Sequence, residues 1–259
     1  PKKIRYLAKV KYITCDISKK NSLKKNIKKY FNYVVNLGGY VDHLNKKKTF
    51  DSHYLGCKNL TEVLAKNIPI AFVQMGSSIE YGNLNSPQKE NKKCNPKLIK
   101  SIYGKAKLMA SMHLIKLFKK KNFPSIVLRL YLAYGPRQDT NRFLPIVIKG
   151  CIKNKKFACS TGNQLRDFVH VDDVVNAIIK SLANKKAIGQ IINIGSGKPK
   201  KIKNIIKNIK KIANGGYPQF GKIKLRKDEI LKLYPNITKA KNLIKWKPKI
   251  SFKKGLKLT

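Results

Sequence analysis

Residues 70–82 read I-A-F-V-Q-M-G-S-S-I-E-Y-G, and residues 103–107 read Y-G-K-A-K. The first stretch is an apolar run without polar alternation that breaks at Gly76-Ser77-Ser78. That is the pattern of a strand covered on both faces, as in a parallel sheet. The second leads into 105–120, which reads as a helix. Working outward, 33–37 (YVVNL) is a β-rich run stopped by Gly38-Gly39. The stretch 49–66 predicts a helix with Leu55, Leu60, Val63 and Leu64 on its inner face, and 125–130 predicts another strand. Towards the start, 10–15 predicts a short strand ending at Asp16. Residues 23–30 predict an amphipathic helix carrying Leu23, Ile27 and Tyr30. Strands alternating with helices of this length predict βαβ units and an α/β fold with a doubly wound parallel sheet.

Beyond Gly135-Pro136 the pattern loosens. A helix is expected over 142–153, then a loop to Arg166 and a short strand through Val171. A helix over 172–182 opens on Asp172 and Asp173, where the helix dipole favours acids. Residues 190–194 predict one more strand. Residues 200–213 predict a lysine-rich helix with Ile202, Ile205, Ile206, Ile209 and Ile212 as a packing stripe. The rest, with Pro218, Pro235 and Pro248, predicts a smaller lobe laid over the sheet edge. The expected division is 1–135 for the sheet domain and 136–259 for the lobe, with 165–195 returning to the sheet.

Composition narrows the functional classes. A hydrophobic fraction of 42% over 259 residues suits a globular protein with a core rather than a basic tail. No apolar run approaches the roughly 20 residues that span a bilayer, so no membrane association is expected. The formal charge of +46 raises nucleic acid as a partner. Its carriers argue against that reading: the excess is nearly all lysine, spread end to end and accompanied by asparagine and isoleucine, as AT-rich coding would produce. Dedicated phosphate readers favour arginine forks, so nucleic-acid binding is expected to be weak, non-specific and salt-sensitive. Cys15, Cys57, Cys94, Cys151 and Cys159 form no CxxC pair, and the four histidines show no ligand spacing. No metal site and no disulfide framework are expected, and the thiols suit a reducing cytoplasm.

The chemistry concentrates at Tyr103 and Lys107. Four residues apart at the start of a helix, they share one face. An ammonium beside a phenol favours the phenolate, which predicts a tyrosine that titrates nearer neutrality and moves a proton. Around this pair stand Gly76-Ser77-Ser78-Ile79-Glu80-Tyr81-Gly82, then Arg129-Leu130-Tyr131-Leu132-Ala133-Tyr134-Gly135-Pro136-Arg137, then Arg166-Asp167-Phe168-Val169-His170-Val171-Asp172-Asp173. In this order the motifs resemble the extended short-chain dehydrogenases of the nucleotide-sugar epimerase/dehydratase family, from about Val10 to the C-terminus.

The resemblance implies a Rossmann-type fold, NAD or NADP as cofactor, a nucleoside-diphosphate sugar as substrate and a homodimer. Ser77 matches the family's catalytic Ser/Thr, Tyr103 its base, and Lys107 the lysine that assists the base and grips the nicotinamide ribose. Asp16 matches the residue at the adenine end of the cofactor. Leu37-Gly38-Gly39 matches the segment passing under its phosphates. Arg166 and Arg226 match arginines that clamp the diphosphate, and Asn141 a substrate contact.

Two departures shape the expectation. The Gly-rich strand–turn–helix that binds pyrophosphate should precede Asp16 by some tens of residues, and only Pro1 to Cys15 lie there. A fragment lacking the first strands is therefore expected, with an exposed apolar sheet edge and weak cofactor binding. Second, the family's 4,6-dehydratases carry acids just after the catalytic Thr/Ser, where this chain has Ser78 and Ile79, with Glu80 one place late. That favours an epimerase or 4-keto reductase, the dehydratase being the alternative within the family. An inactive fragment or polyanion-binding protein is the alternative outside it.

Overall fold

A parallel strand requires neighbours beside it and cover on both faces, and the strongest apolar runs of the chain obtain both. The structure, a computed structural model, describes residues 7–40, 42, 44–225 and 229–259. Arg226 and His43 lie outside the described residues. Strands β1 (Tyr33–Asn36), β2 (Ala71–Ser77), β3 (Ser125–Leu130) and β8 (Ile191–Ile194) form one sheet in the order β1-β2-β3-β8. Every pair in it is parallel, with Val73 opposite Ile126 and Ser77 opposite Leu130.

Alternate side chains of these strands enter two cores. Phe72 and Val127 point to one face, with Leu60, Leu64, Ala110, Leu114 and Phe123. There they meet α1 (Lys20–Asn26), α3 (Gly56–Leu64) and α4 (Ile102–Lys121). Val73, Met75, Ile126, Leu128, Ile192 and Ile194 point to the other, under α6 (Val171–Leu182). Ala240 and Ile244, from α8 (Thr238–Leu243) and just after it, and Trp246 complete that second core. The C-terminal stretch expected over the sheet edge thus reaches the sheet face, where the Trp246 indole donates to the Asp173 carbonyl at 3.0 Å.

A smaller core lies beyond the main sheet. Here α5 (Phe143–Ile152) packs on α7 (Ile202–Ala213), with Leu144, Val147, Ile205, Ile206 and Ile209 buried between them. The isoleucine stripe therefore packs as its spacing predicts, although Ile212 at its end stays exposed. Short strands stitch this part together: β4 (Leu132–Tyr134) with β7 (Phe168–His170), β5 (Lys156–Ala158) with β10 (Tyr217–Gln219), and β6 (Leu165–Arg166) between β9 (Lys200–Lys201) and β11 (Lys232–Leu233). The Asp167 carboxylate accepts from the Ser196 hydroxyl at 2.8 Å and from backbone N–H groups of Ser196 and Lys198. This ties the β6–β7 junction, and with it Arg166, to the turn after β8.

Residues 10–15 do not form the expected strand. Among the described residues β1 pairs only with β2, so the segment has no ladder to join, and Val10, Tyr12 and Ile13 stay exposed. β1 is an outer strand, and Tyr33, Val35 and Leu37 leave the apolar edge that the sequence led us to expect. The predicted helix over 49–66 begins earlier, where the Asn45 side chain caps α2 (Lys46–Phe50). It passes through a π-helical turn (Asp51–Leu55) into α3. No helix among the described residues is long and apolar enough to cross a membrane.

Candidate active site

The carboxyl ends of parallel strands point the same way, so residues leaving β1 and β2 gather at one rim of the sheet. Ser77 ends β2. Its hydroxyl accepts from Ile79 N–H at 3.4 Å, and its own N–H donates to Glu80 Oε1 at 2.7 Å. This reciprocal cap turns the chain sharply away from the strand. Opposite it, Ser101 caps α4 by accepting from Gly104 N–H at 3.1 Å. That start places Tyr103 in the first turn, close enough to Ser77 for its side chain to pull the phenol's pKa down. Lys107, one turn on, is buried, with its ammonium 5.8 Å from the Tyr103 ring centroid. Ser77, Tyr103 and Lys107 therefore meet.

Their electrostatics differ from the sequence expectation. Burial pushes the Tyr103 phenol above its ordinary value, against the pull of the Ser77 hydrogen bond and the Arg142 charge. Lys107 is pushed down, again by burial first, with Glu80 and Cys57 opposing. The reason is geometric. The Lys107 ammonium faces the phenol ring and donates to the Met75 carbonyl at 2.8 Å, while both groups have lost water.

Behind Ser77 lies a buried polar cluster. Both Glu80 oxygens are engaged: Oε1 by Ser77 N–H, and Oε2 by the Ser111 hydroxyl at 2.7 Å and Arg129 Nε at 2.9 Å. The Arg129 guanidinium stacks 4.4 Å over the Tyr81 ring, and the Tyr81 hydroxyl donates to Asn193 Oδ1 at 2.8 Å. Glu80 thus faces the protein interior.

Leaving β1, Gly38 N–H donates to Asn36 Oδ1 at 3.0 Å. Gly39 has φ +151°, and a Cβ there would lie 1.7 Å from Cε1 of His53. The His53 ring in turn packs edge-on against Tyr103, with centroids 5.0 Å apart. Ile17 fills the space beside Gly38 and Gly56, which brings the neighbouring, exposed Asp16 to the same rim. The Asp16 carboxylate accepts from the Ser18 hydroxyl and N–H, which hold it below the usual carboxylate range. Gly39→Ala should therefore cost about 1–3 kcal/mol, as overpacking does, with a lower urea midpoint as the measurement.

In front of Tyr103 opens a cleft of about 630 Å³ lined by Ile79, Ser101, Tyr103, Arg166, Glu229 and Leu233, among others. Arg166 reaches it from β6 and is paired with Glu229. Asn141 lies exposed in the turn before α5, next to Arg142, whose charge reaches Tyr103. A larger cleft, about 990 Å³ and lined by Lys89, Asn184 and Lys239, contains none of these residues; volume alone is a poor guide to the chemistry. Among the described residues no cluster of His, Cys, Asp or Glu is placed to hold a metal. All five cysteines are free.

Comparison with known proteins bears on this arrangement. The profile of the NAD dependent epimerase/dehydratase family matches residues 1–195. The chain belongs to that family. It is 34% identical over 216 residues to a putative UDP-glucose 4-epimerase of Methanocaldococcus jannaschii, covering 80% of this chain and 67% of the relative. It is 34% identical over 138 residues to CDP-abequose synthase of Salmonella typhimurium, covering 50% of this chain and 45% of that one. A UDP-glucuronate 4-epimerase of Thermodesulfobacterium geofontis is 29% identical, with 81% of this chain and 64% of the relative covered. The chain thus spans between 45% and 67% of the length of these curated relatives. In fold it resembles a dTDP-glucose 4,6-dehydratase from Bacillus anthracis solved with NAD. The TM-score is 0.87 at 24% identity, over 98% of this chain and 80% of that one.

For an epimerase/dehydratase-family chain, the residues at the rim fit a dinucleotide: two glycines leave β1 where a backbone must approach closely, and Tyr103 and Lys107 stand beside them. Three neighbours of the site escape a reading of the sequence. Glu229 lies 63 positions from its partner Arg166, with no spacing rule to join them. Arg142 acts on Tyr103 through its charge. His53, one of the histidines without ligand spacing, touches Tyr103 because a π-helical turn aims it there.

Proposed function

We propose that this chain carries the catalytic and substrate-binding residues of an NAD(P)-dependent epimerase or 4-keto reductase acting on a nucleoside-diphosphate sugar. The observation behind this reading is Tyr103, with Lys107 over its ring and Ser77 beside its phenol, lining the cleft that also holds Arg166. When bound, a nicotinamide cofactor supplies the hydride acceptor or donor at a sugar carbon. The chain's own residues do the rest. Ser77 orients the reacting hydroxyl, and Tyr103 takes or returns its proton at the phenol oxygen. Lys107 supplies a buried positive charge beside them. Leu37, Gly38 and Gly39 pass under the cofactor phosphates, with Asp16 at its adenine end. Arg166 and Arg226 bind the diphosphate, and Asn141 the sugar.

Epimerisation or reduction is favoured over dehydration by the fate of Glu80. Ser78 and Ile79 offer no carboxylate, and both Glu80 oxygens are held by Ser77, Ser111 and Arg129. In this reading 1–135 binds the cofactor and 136–259 the substrate, with 165–195 returning to the sheet. The protein is a cytoplasmic homodimer that pairs through the helices following Ser77 and Tyr103, and polyanions bind it weakly and without specificity.

Calorimetry with UDP at moderate salt tests the substrate class. Arg166→Ala should weaken UDP at least about tenfold, the loss expected for a charge-assisted bond to phosphate, whereas Lys153→Ala should leave it unchanged. Equal losses in both variants would mean that UDP binds only through the general lysine charge, and the reading would fail.

A further inference from the structure

We propose that His53 is a positioning residue that links the Gly38-Gly39 segment to Tyr103, an inference that rests on the catalytic reading above. The π-helical turn Asp51–Leu55 interrupts an otherwise α-helical run, with Gly56 N–H donating to the Asp51 carbonyl. Such turns insert a residue into the helix and recur at functional sites. This one brings two consecutive side chains onto the segment that leaves β1. The Ser52 hydroxyl accepts from Tyr40 N–H at 2.8 Å, and His53 Nε2 lies 3.2 Å from the Tyr40 carbonyl oxygen. Both backbone groups of Tyr40 are thereby gripped from one turn.

The imidazole continues from that grip to the catalytic tyrosine. It is buried and occupies the space where a Cβ on Gly39 would be, and it meets the Tyr103 ring at 77° with centroids 5.0 Å apart. A single ring thus separates the Gly38-Gly39 backbone from the proton-handling phenol, so movement of one is transmitted to the other. Tyr103 also feels the charges of Glu80, behind Ser77, and of Arg142, and Lys107 stands over its ring. Asp51, on the π-turn, is paired with Lys47.

The chain labelled with 13Cζ-tyrosine tests this without cofactor or substrate, the Tyr103 resonance being assigned by its loss in Tyr103→Phe. The wild-type resonance should report deprotonation above the ordinary phenol value, because burial has raised Tyr103. His53→Phe keeps a ring in the same place and should leave that midpoint unchanged. His53→Ala should lower the midpoint by about half a pH unit or more, because water reaches a phenol that burial had raised. Gly39→Ala, which displaces the imidazole, should shift the Tyr103 resonance as well. A Tyr103 midpoint unchanged in His53→Ala, or an equal fall in His53→Phe, would overturn the proposal. So would a Tyr103 signal indifferent to Gly39→Ala. The catalytic reading is judged separately by turnover of Tyr103→Phe, so either can fail alone.

Discussion

Glu80→Ala is expected to lower folding stability by about 3–5 kcal/mol, the cost of removing one partner from a buried ion pair. Glu80 is wholly buried, and the Arg129 side chain is only 3% exposed. Removing the carboxylate leaves Ser77 N–H, the Ser111 hydroxyl and Arg129 Nε without their acceptor. Of these the arginine weighs most. Glu80 and Tyr81 hold its pKa above the ordinary value against a burial effect that alone would lower it. A guanidinium without its carboxylate cannot escape by losing a proton, so the protein must rearrange or hydrate it. The penalty belongs to the unpaired charge rather than to the pair, and so Glu80→Leu combined with Arg129→Met should recover most of the loss. Urea denaturation of the single and double variants measures both. Glu80→Gln separates the two enzyme readings. A carboxylate that shuttled the water of a dehydration would take that activity with it even in the folded fraction. A purely structural one loses stability and leaves the remaining folded fraction active.

The parts of the molecule that were legible in the sequence are those whose signal is local. Residues 70–77 announce β2 because an uninterrupted apolar run ending in Gly-Ser suits few other structures. Tyr103 and Lys107 announce a shared helix face because four residues make about one turn. The stripe of α7 is legible for the same reason. What stayed hidden needs information from elsewhere in the chain. Residues 10–15 have the composition of a strand, but a strand exists only beside a partner, and none reaches it among the described residues. Three-residue strands such as β5 are too short to alternate, so 156–158 reads as loop. The π-helical turn adds a residue to its helix and shifts the apolar phase by about a quarter-turn. The apolar positions that mark the helix, Leu55 to Leu64, begin only at the last residue of that turn, so their period carries no trace of it or of the aim of His53. The direction of the Tyr103 shift was also out of reach. Spacing tells that an ammonium is near a phenol, while the burial of both, and the Met75 carbonyl that holds the ammonium, depend on the folded sheet.

Tyr103→Phe should lower turnover of the nucleotide sugar by a factor of about 10² to 10⁴, the range expected when a positioned acid–base group is removed. The phenylalanine retains the ring that His53 and the Lys107 ammonium face, so the fold should survive with a loss of at most about 1 kcal/mol for one hydrogen bond. The defect should appear in kcat. KM should hardly change, because in the proposed reading Arg166, not Tyr103, holds the diphosphate. The pH dependence carries a sign. Burial has raised the phenol, so at neutrality Tyr103 is protonated and ready to donate, while the phenolate that accepts a proton is scarce. The direction that requires proton removal from the sugar hydroxyl should therefore accelerate with rising pH, by up to about tenfold per unit below the phenol's pKa. The direction that returns a proton should not. Nicotinamide absorbance followed in a single turnover, in both directions and across pH, measures this asymmetry. Retention of the full pH-dependent rate in Tyr103→Phe would place the proton on another group, and the Ser77 hydroxyl, which acts on the phenol, would be the first to replace.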